Sequence, residues 1–234
     1  MENQQQTTQN HSHRIKSFVL RQGRMSKAQQ TALDKLWPVF GLEPQGEALD
    51  LTQLFGRMAP TYLEIGFGMG TSLAAMAQAN PDRNYIGIEV HRPGVGALCK
   101  LIEEQGLTNI RLFNHDAIEV LAQRIPQNSL AGVYLFFPDP WHKARHKKRR
   151  ILNAEFADKI AQYLTAGGEF HMATDWQDYA EQMMDVMSNA NAYENKAGKN
   201  QYMPRPDYRP LTKFEQRGQR LGHGVWDLIF IKRS

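Results

Sequence analysis

The sequence predicts an α/β fold: a single doubly wound, mostly parallel sheet with an antiparallel last strand. Three observations carry that expectation. Short apolar runs alternate with helical patterns from residue 62 onward, the first run ends in a glycine-rich turn, and acids stand just past successive runs. Alternating strand and helix signals mark a sheet covered by helices on both faces. In such a sheet ligands sit beyond the C-terminal ends of the strands, where strand order reverses. The residues that follow each strand are therefore the ones to read for chemistry.

Taken in order, residues 1–30 read as a flexible basic segment and 31–234 as the folded domain. The first thirteen or so are rich in Gln, Asn, Thr and His, with too little apolar surface to order themselves. Arg14, Lys16, Arg21, Arg24 and Lys27 then accumulate without an acid. Residues 27–37 read as a helix stopped before Pro38, because proline disfavours the helical region for the residue ahead of it. Strands are expected at 62–65, 85–90, 110–113, 132–137, 169–174 and 225–231, with helices near 71–79, 93–105, 116–124, 151–164 and 176–189. A Tyr-, Pro- and Arg-rich segment at 202–210 and a short helix at 213–221 precede the last strand.

Composition narrows the class. At 234 residues, 41% hydrophobic and 22% charged, the chain holds one sizeable globular domain. No stretch approaches the ~18 consecutive apolar residues of a membrane span, and the first residues lack the apolar core of a secretory signal. Cys99 stands alone, excluding an internal disulfide and a cysteine-based metal site. The histidines form no metal-type cluster with acids apart from the His11-x-His13 pair, so no metal is expected. A soluble, cytoplasmic protein follows, its oligomeric state (monomer or homodimer) left open. The net charge is +4, yet residues 143–150, KARHKKRR, hold six Lys or Arg and no acid. A concentrated basic patch on a near-neutral body points to a polyanionic partner. Cations at the start of the expected 151–164 helix would oppose its macrodipole, which favours phosphate contact, although a nuclear-localisation run has similar chemistry.

The first strand runs into Glu64-Ile65-Gly66-Phe67-Gly68-Met69-Gly70-Thr71. Three alternate glycines let the backbone turn tightly and approach a ligand. Dinucleotide spacing would demand glycine where Thr71 stands, and no Lys-Ser/Thr follows for a P-loop. The acid two residues ahead, giving E-x-G-x-G-x-G, resembles the first motif of class I methyltransferases, which implies that Glu64, Gly66, Gly68 and Gly70 hold the methionine portion of S-adenosyl-L-methionine. Glu89, at the end of the second strand, suits ribose hydroxyls. Asp116, after the third, corresponds to the family's adenine-facing acid and equally makes a capping box with Glu119.

The fourth strand enters Phe136-Phe137-Pro138-Asp139-Pro140-Trp141-His142-Lys143. Two prolines should stiffen an extended loop that presents one carboxylate and one indole. This stretch and the basic run, with YLEIGFGMG upstream and TKFE downstream, resemble the tRNA (guanine-N7)-methyltransferase family from about Phe18 to the C-terminus. The resemblance implies a Rossmann-like class I methyltransferase fold and methyl transfer from S-adenosyl-L-methionine to N7 of a guanine in the tRNA variable loop. It implies cofactor contacts at Glu64, Glu89, Asp116 and Asp139, with Asp139 catalytic. Substrate contacts are implied at Lys143, Asp175, Thr212, Lys213, Phe214 and Glu215, and RNA contacts at Arg145, His146, Lys147, Lys148, Arg149 and Arg150.

Several of these residues have structural readings too. Asp175 is placed to cap the next helix, and Thr212-x-x-Glu215 has capping-box spacing. Trp141 and Trp176 can stack on a base or simply pack. Because guanine N7 carries a free lone pair, no proton must leave before it attacks, so Asp139 is expected to orient and stabilise charge rather than to abstract a proton. A methyltransferase acting on protein or a small molecule leaves the basic run without a purpose. A nicotinamide oxidoreductase is disfavoured by the glycine spacing and the lack of any Tyr-x-x-x-Lys pair. A non-catalytic RNA-binding protein has no need of acids at strand ends.

Overall fold

The computed structural model describes residues 15–19, 23–211, 215 and 224–234. Its strands are β1 (Thr61–Ile65), β2 (Asn84–Ile88), β3 (Ile110–Phe113), β4 (Leu130–Phe136), β5 (Leu164–Thr174), β6 (Tyr193–Asn195) and β7 (Trp226–Lys232). They form one sheet in the order β3-β2-β1-β4-β5-β7-β6. Strands β1 to β5 run parallel, and β7 lies antiparallel to both β5 and β6. The doubly wound sheet and its antiparallel last strand are therefore both present. Strand order reverses between β1 and β4, which sets the crevice at their C-terminal ends.

Helices cover both faces. On one side lie α1 (Lys27–Phe40), α3 (Thr71–Ala79) and α4 (Arg92–Gln105), whose Leu33, Leu73, Met76, Leu98 and Ile102 share one buried cluster. On the other lie α5 (Ala117–Arg124), α6 (Ala154–Tyr163) and α7 (Gln177–Ser188), with Val120, Leu121, Phe156, Ile160 and Met183 in a second cluster. The interior strand β2 is buried at every position, as parallel strands with two covered faces require. Cys99, on the inner side of α4, is wholly buried, and burial pushes its thiol up to about 11.

Three expectations change. Pro38 does not stop α1, which continues to Phe40; near the C-terminus the ring costs only one intrahelical bond, and the Gly41 N–H still closes onto the Trp37 carbonyl at 2.8 Å. The basic run is not part of α6. It forms its own 3₁₀ turn over Ala144–Arg149, while α6 begins at Ala154, capped by Asn153 and carrying Glu155 in its first turn. The macrodipole reading of that run is therefore withdrawn. Strand β6 and the short helix α2 (Leu51–Phe55) were not anticipated, being too short to show a period. The expected helix at 213–221 lies, apart from Glu215, outside the described residues.

Candidate active site

A cleft of about 640 Å³ opens at the β1/β4 crevice. Gly66 enters it from the end of β1, Glu89 from β2, Asp116 from β3, and Asp139 and Lys143 from β4. Four consecutive strand ends thus deliver the expected residues to one place, between apolar walls that include Ile88, Leu135 and Phe137.

The glycine loop is held from below. Gly66 and Gly68 sit at φ +75° and +57°, and a Cβ added to either would meet nothing within 4 Å, so the loop leaves open space on its outer side. The Glu89 carboxylate accepts from the Gly68 N–H at 2.7 Å and from the His91 N–H at 2.9 Å, so it shapes the loop as well as facing the cleft. Gly70 does neither. It starts α3, and a Cβ there would lie 2.6 Å from that of Leu98. Gly94 was missed by sequence reading: a Cβ at Gly94 would stand 2.1 Å from the Gly68 carbonyl oxygen, so α4 approaches the loop as closely as backbone allows.

Glu64 lies beneath the cleft rather than on its wall. It is 3% exposed, and its Oε2 has no hydrogen-bond partner among the described residues. Burial, and then the neighbouring Glu89 charge, push its carboxyl up to about 8. An isolated buried carboxylate is costly unless a cation or donor reaches it. Asp116 combines the two roles foreseen for it: its Oδ1 caps α5 by accepting from the Ile118 N–H at 2.9 Å, and it still lines the cleft. The expected box partner, Glu119, pairs instead with His115 at 2.7 Å.

The Asp139 loop is stiff but not simply extended. Phe137 and Trp141, on either side of the Pro138-Asp139-Pro140 segment, have φ of +51° and +46°. Left-handed backbone at bulky residues costs ~1–3 kcal/mol each, and such strain gathers at working sites. The Phe137 N–H donates to the Ala173 carbonyl at 2.8 Å, tying the loop to β5. Asp139 itself is exposed, and no hydrogen bond from the described residues engages its carboxylate.

Arg150 does not join the other basic residues at the surface. It is 3% exposed; its Nε donates to the Pro140 carbonyl at 2.8 Å, and its two terminal nitrogens reach Gln182 and Asp178, each at 2.5 Å. The guanidinium also lies 4.6 Å from the Tyr179 ring centre. Arg150 therefore pins the loop that carries Asp139. Arg150→Met is expected to lower unfolding free energy by about 2–4 kcal/mol, measured by urea titration, because the Pro140 carbonyl and Asp178 lose charge-assisted partners. Arg145 and Lys148 are exposed, whereas Lys147 pairs with Asp178 at 2.5 Å.

Residues 17–19, unforeseen as part of the site, line the cleft mouth. Trp141 Nε1 donates to the Ser17 carbonyl at 3.1 Å, and Arg149 donates to the Lys16 carbonyl at 3.2 Å while lying 4.5 Å from the Trp141 ring centre. No motif marks this strap, only apolar residues among the N-terminal cations. Asp175 is exposed, is not among the cleft-lining residues, and is not the cap of α7, whose N-cap residue is Trp176. Trp176 packs edge-on against His142 at 4.1 Å. Thr212, Lys213 and Phe214 lie outside the described residues. Glu215 is buried, and its two oxygens accept from Arg209 at 2.7 and 2.8 Å.

Comparison with known proteins adds three findings. A family model described as "Putative methyltransferase" matches residues 58–228. The chain is 72% identical over 220 residues to a tRNA (guanine-N(7)-)-methyltransferase of Hydrogenovibrio crunogenus, covering 94% of this chain and 92% of the relative. It is 62% identical over 221 residues to the enzyme of that name from Yersinia enterocolitica, with the same two coverages of 94% and 92%. Among solved structures, the 16S rRNA methyltransferase KamB superposes with a TM-score of 0.57 at 15% identity, over 81% of this chain and 96% of that one, a likeness of fold.

Proposed function

This chain belongs to the tRNA (guanine-N(7)-)-methyltransferase family, and from that premise we propose that it transfers a methyl group from S-adenosyl-L-methionine to N7 of a guanine in tRNA. The observation that carries the reading is the convergence of Glu89, Asp116 and Asp139 from three successive strand ends on one cleft, beside a basic turn.

The residues present fit the cofactor. Glu64 offers a buried, unpartnered carboxylate oxygen to an ammonium group, and the open face of Gly66 and Gly68 admits a ligand against the backbone. Glu89 and Asp116 supply acceptors for hydroxyl and amino groups. When bound, S-adenosyl-L-methionine supplies an electrophilic methyl on a sulfonium. The chain's own work is then to hold guanine N7 in line and to keep water out between Ile88, Leu135 and Phe137. Asp139, on its strained loop, orients the purine and stabilises the positive charge that develops on it; the N7 lone pair needs no base.

Arg145 and Lys148 are exposed on the same turn and form the phosphate-binding strip, with the part-buried Arg149 and Lys16 of the strap beside them. Neutralising Arg145 or Lys148 is expected to lower the slope of log affinity against log salt by about one per residue, measured by filter binding of tRNA. A slope unchanged in both variants would remove them from the strip. Cytoplasmic location follows from the tRNA substrate, and no described helix is long and apolar enough to cross a membrane. The test of the activity is incubation with labelled cofactor and unmodified tRNA, followed by mass spectrometry of the nucleosides. Label in 7-methylguanosine is the expected result, and an unlabelled tRNA would refute the proposal.

A further inference from the structure

A second charged centre lies outside the cleft, behind the Asp139 loop. Arg209, 1% exposed, donates through Nε and Nη2 to the two oxygens of Asp227 at 2.6 and 2.8 Å, and through Nη1 and Nη2 to those of Glu215 at 2.8 and 2.7 Å. Asp227 sits on β7 opposite Ala173 of β5, and it also accepts from His171 of β5 at 2.8 Å. Because the Asp227 carboxylate only accepts, a neutral His171 carries its proton on Nε2, and its Nδ1 lies 2.9 Å from the Tyr208 hydroxyl, which is also 3.5 Å from Glu169 Oε2. Two forked pairs on one guanidinium form a rigid planar anchor, because every donor direction is set by the plane.

That plane carries a further contact. The guanidinium carbon lies 5.5 Å from the ring centre of Phe137 and 5.9 Å from that of Phe136. Phe137 is the left-handed residue that opens the Asp139 loop, and it lines the cleft. A cation over an aromatic face attracts it, so Arg209 holds from behind the ring whose backbone turn aims the Pro138-Asp139-Pro140 segment. Arg209 and Glu215 stand six positions apart in the chain, so their pairing ties two neighbouring stretches of the sequence together. Arg209, Asp227 and His171 are not among the cleft-lining residues.

We propose that Arg209 is a positioning residue, one that sets the conformation of the Asp139 loop through the Phe136 and Phe137 rings and through its forks to Asp227 and Glu215. Its effect on rate rests on the reading of the cleft as the methyl-transfer site; its effect on the loop does not. Arg209→Lys keeps the buried charge but can neither fork to both carboxylates nor stack as a plane. Hydrogen exchange followed by mass spectrometry is expected to show at least tenfold faster exchange in peptides covering 136–143, with α3 and α4 unchanged. At saturating tRNA and cofactor, kcat is expected to fall at least tenfold, while the Kd for S-adenosyl-L-methionine stays within about twofold of wild type.

If Arg209→Lys does not fold, the double variant Arg209→Met/Glu215→Gln, with Asp227 still held by His171, is measured in the same way. Unchanged exchange in a folded variant overturns the proposal. So does acceleration spread equally over α3 and α4, a parallel loss of cofactor affinity, or failure of both variants to fold, each of which makes Arg209 a general stability residue. If wild-type protein leaves tRNA unmethylated, the proposed activity falls, and the exchange result alone decides the role of Arg209.

Discussion

Replacing Glu64 by Gln is expected to abolish the proton release that accompanies binding of S-adenosyl-L-methionine and to weaken that binding ten- to a hundredfold. In the unliganded chain, burial and the nearby Glu89 charge raise the carboxyl to about 8, so near pH 7 it is mostly protonated. An ammonium brought alongside favours the ionised form, and binding should then expel about one proton per site at that pH. Calorimetry in two buffers of different ionisation enthalpy reads this number directly. A wild-type release of zero would mean that Glu64 stays protonated under the ligand and serves the fold alone.

The same group makes a second, opposite-looking demand on stability. Its folded value lies above the ordinary 4.5, so the contribution is fully present below about pH 4.5 and is lost as pH rises through about 8. Roughly 3 kcal/mol should go between pH 4.5 and pH 7, at ~1.4 kcal/mol per unit. Urea midpoints of the unliganded protein should therefore fall with pH more steeply in wild type than in Glu64→Gln.

Asp139→Asn is expected to lower kcat by about 10²–10³ while cofactor affinity stays within a few-fold. The substitution preserves shape and removes charge, which isolates the electrostatic contribution to a transition state that places positive charge on the purine. Because Asp139 abstracts no proton, the pH–rate profile of wild type should show no limb assignable to a general base between pH 6 and 9. A base-type limb that vanishes in Asp139→Asn would restore the proton-abstraction reading.

Much of this arrangement was legible because strands announce themselves by apolar runs, and a strand's end tells where the next polar residue must stand. Glu89, Asp116 and Asp139 were found that way, each within three residues of where its strand stops. Residues whose job depends on depth were not legible. Arg150 reads as one more cation in KARHKKRR, yet its side chain turns inward because the carbonyl of Pro140 and the carboxylate of Asp178 await it there. Glu64 and Gly66 are neighbours in one motif, but Glu64 still lies within β1 with its side chain buried, whereas Gly66 lies past the strand's end, in the cleft. Ser17 meets Trp141 across 124 positions of chain, a distance over which no local period carries information. Gly94 shows no sign of its closeness to Gly68 until α4 is docked.

The single sulfhydryl of this chain, sealed inside α4, has a practical sequel. A thiol held up to about 11 and shut away from solvent will ignore maleimides at neutral pH, so wild-type protein is already a cysteine-free background for surface labelling. One cysteine introduced at Val19, which is 51% exposed on the strap at the cleft mouth, would take a fluorophore at that site alone. Its emission would report on the surroundings of the cleft mouth as cofactor and tRNA are added, at a position where the native side chain is half exposed.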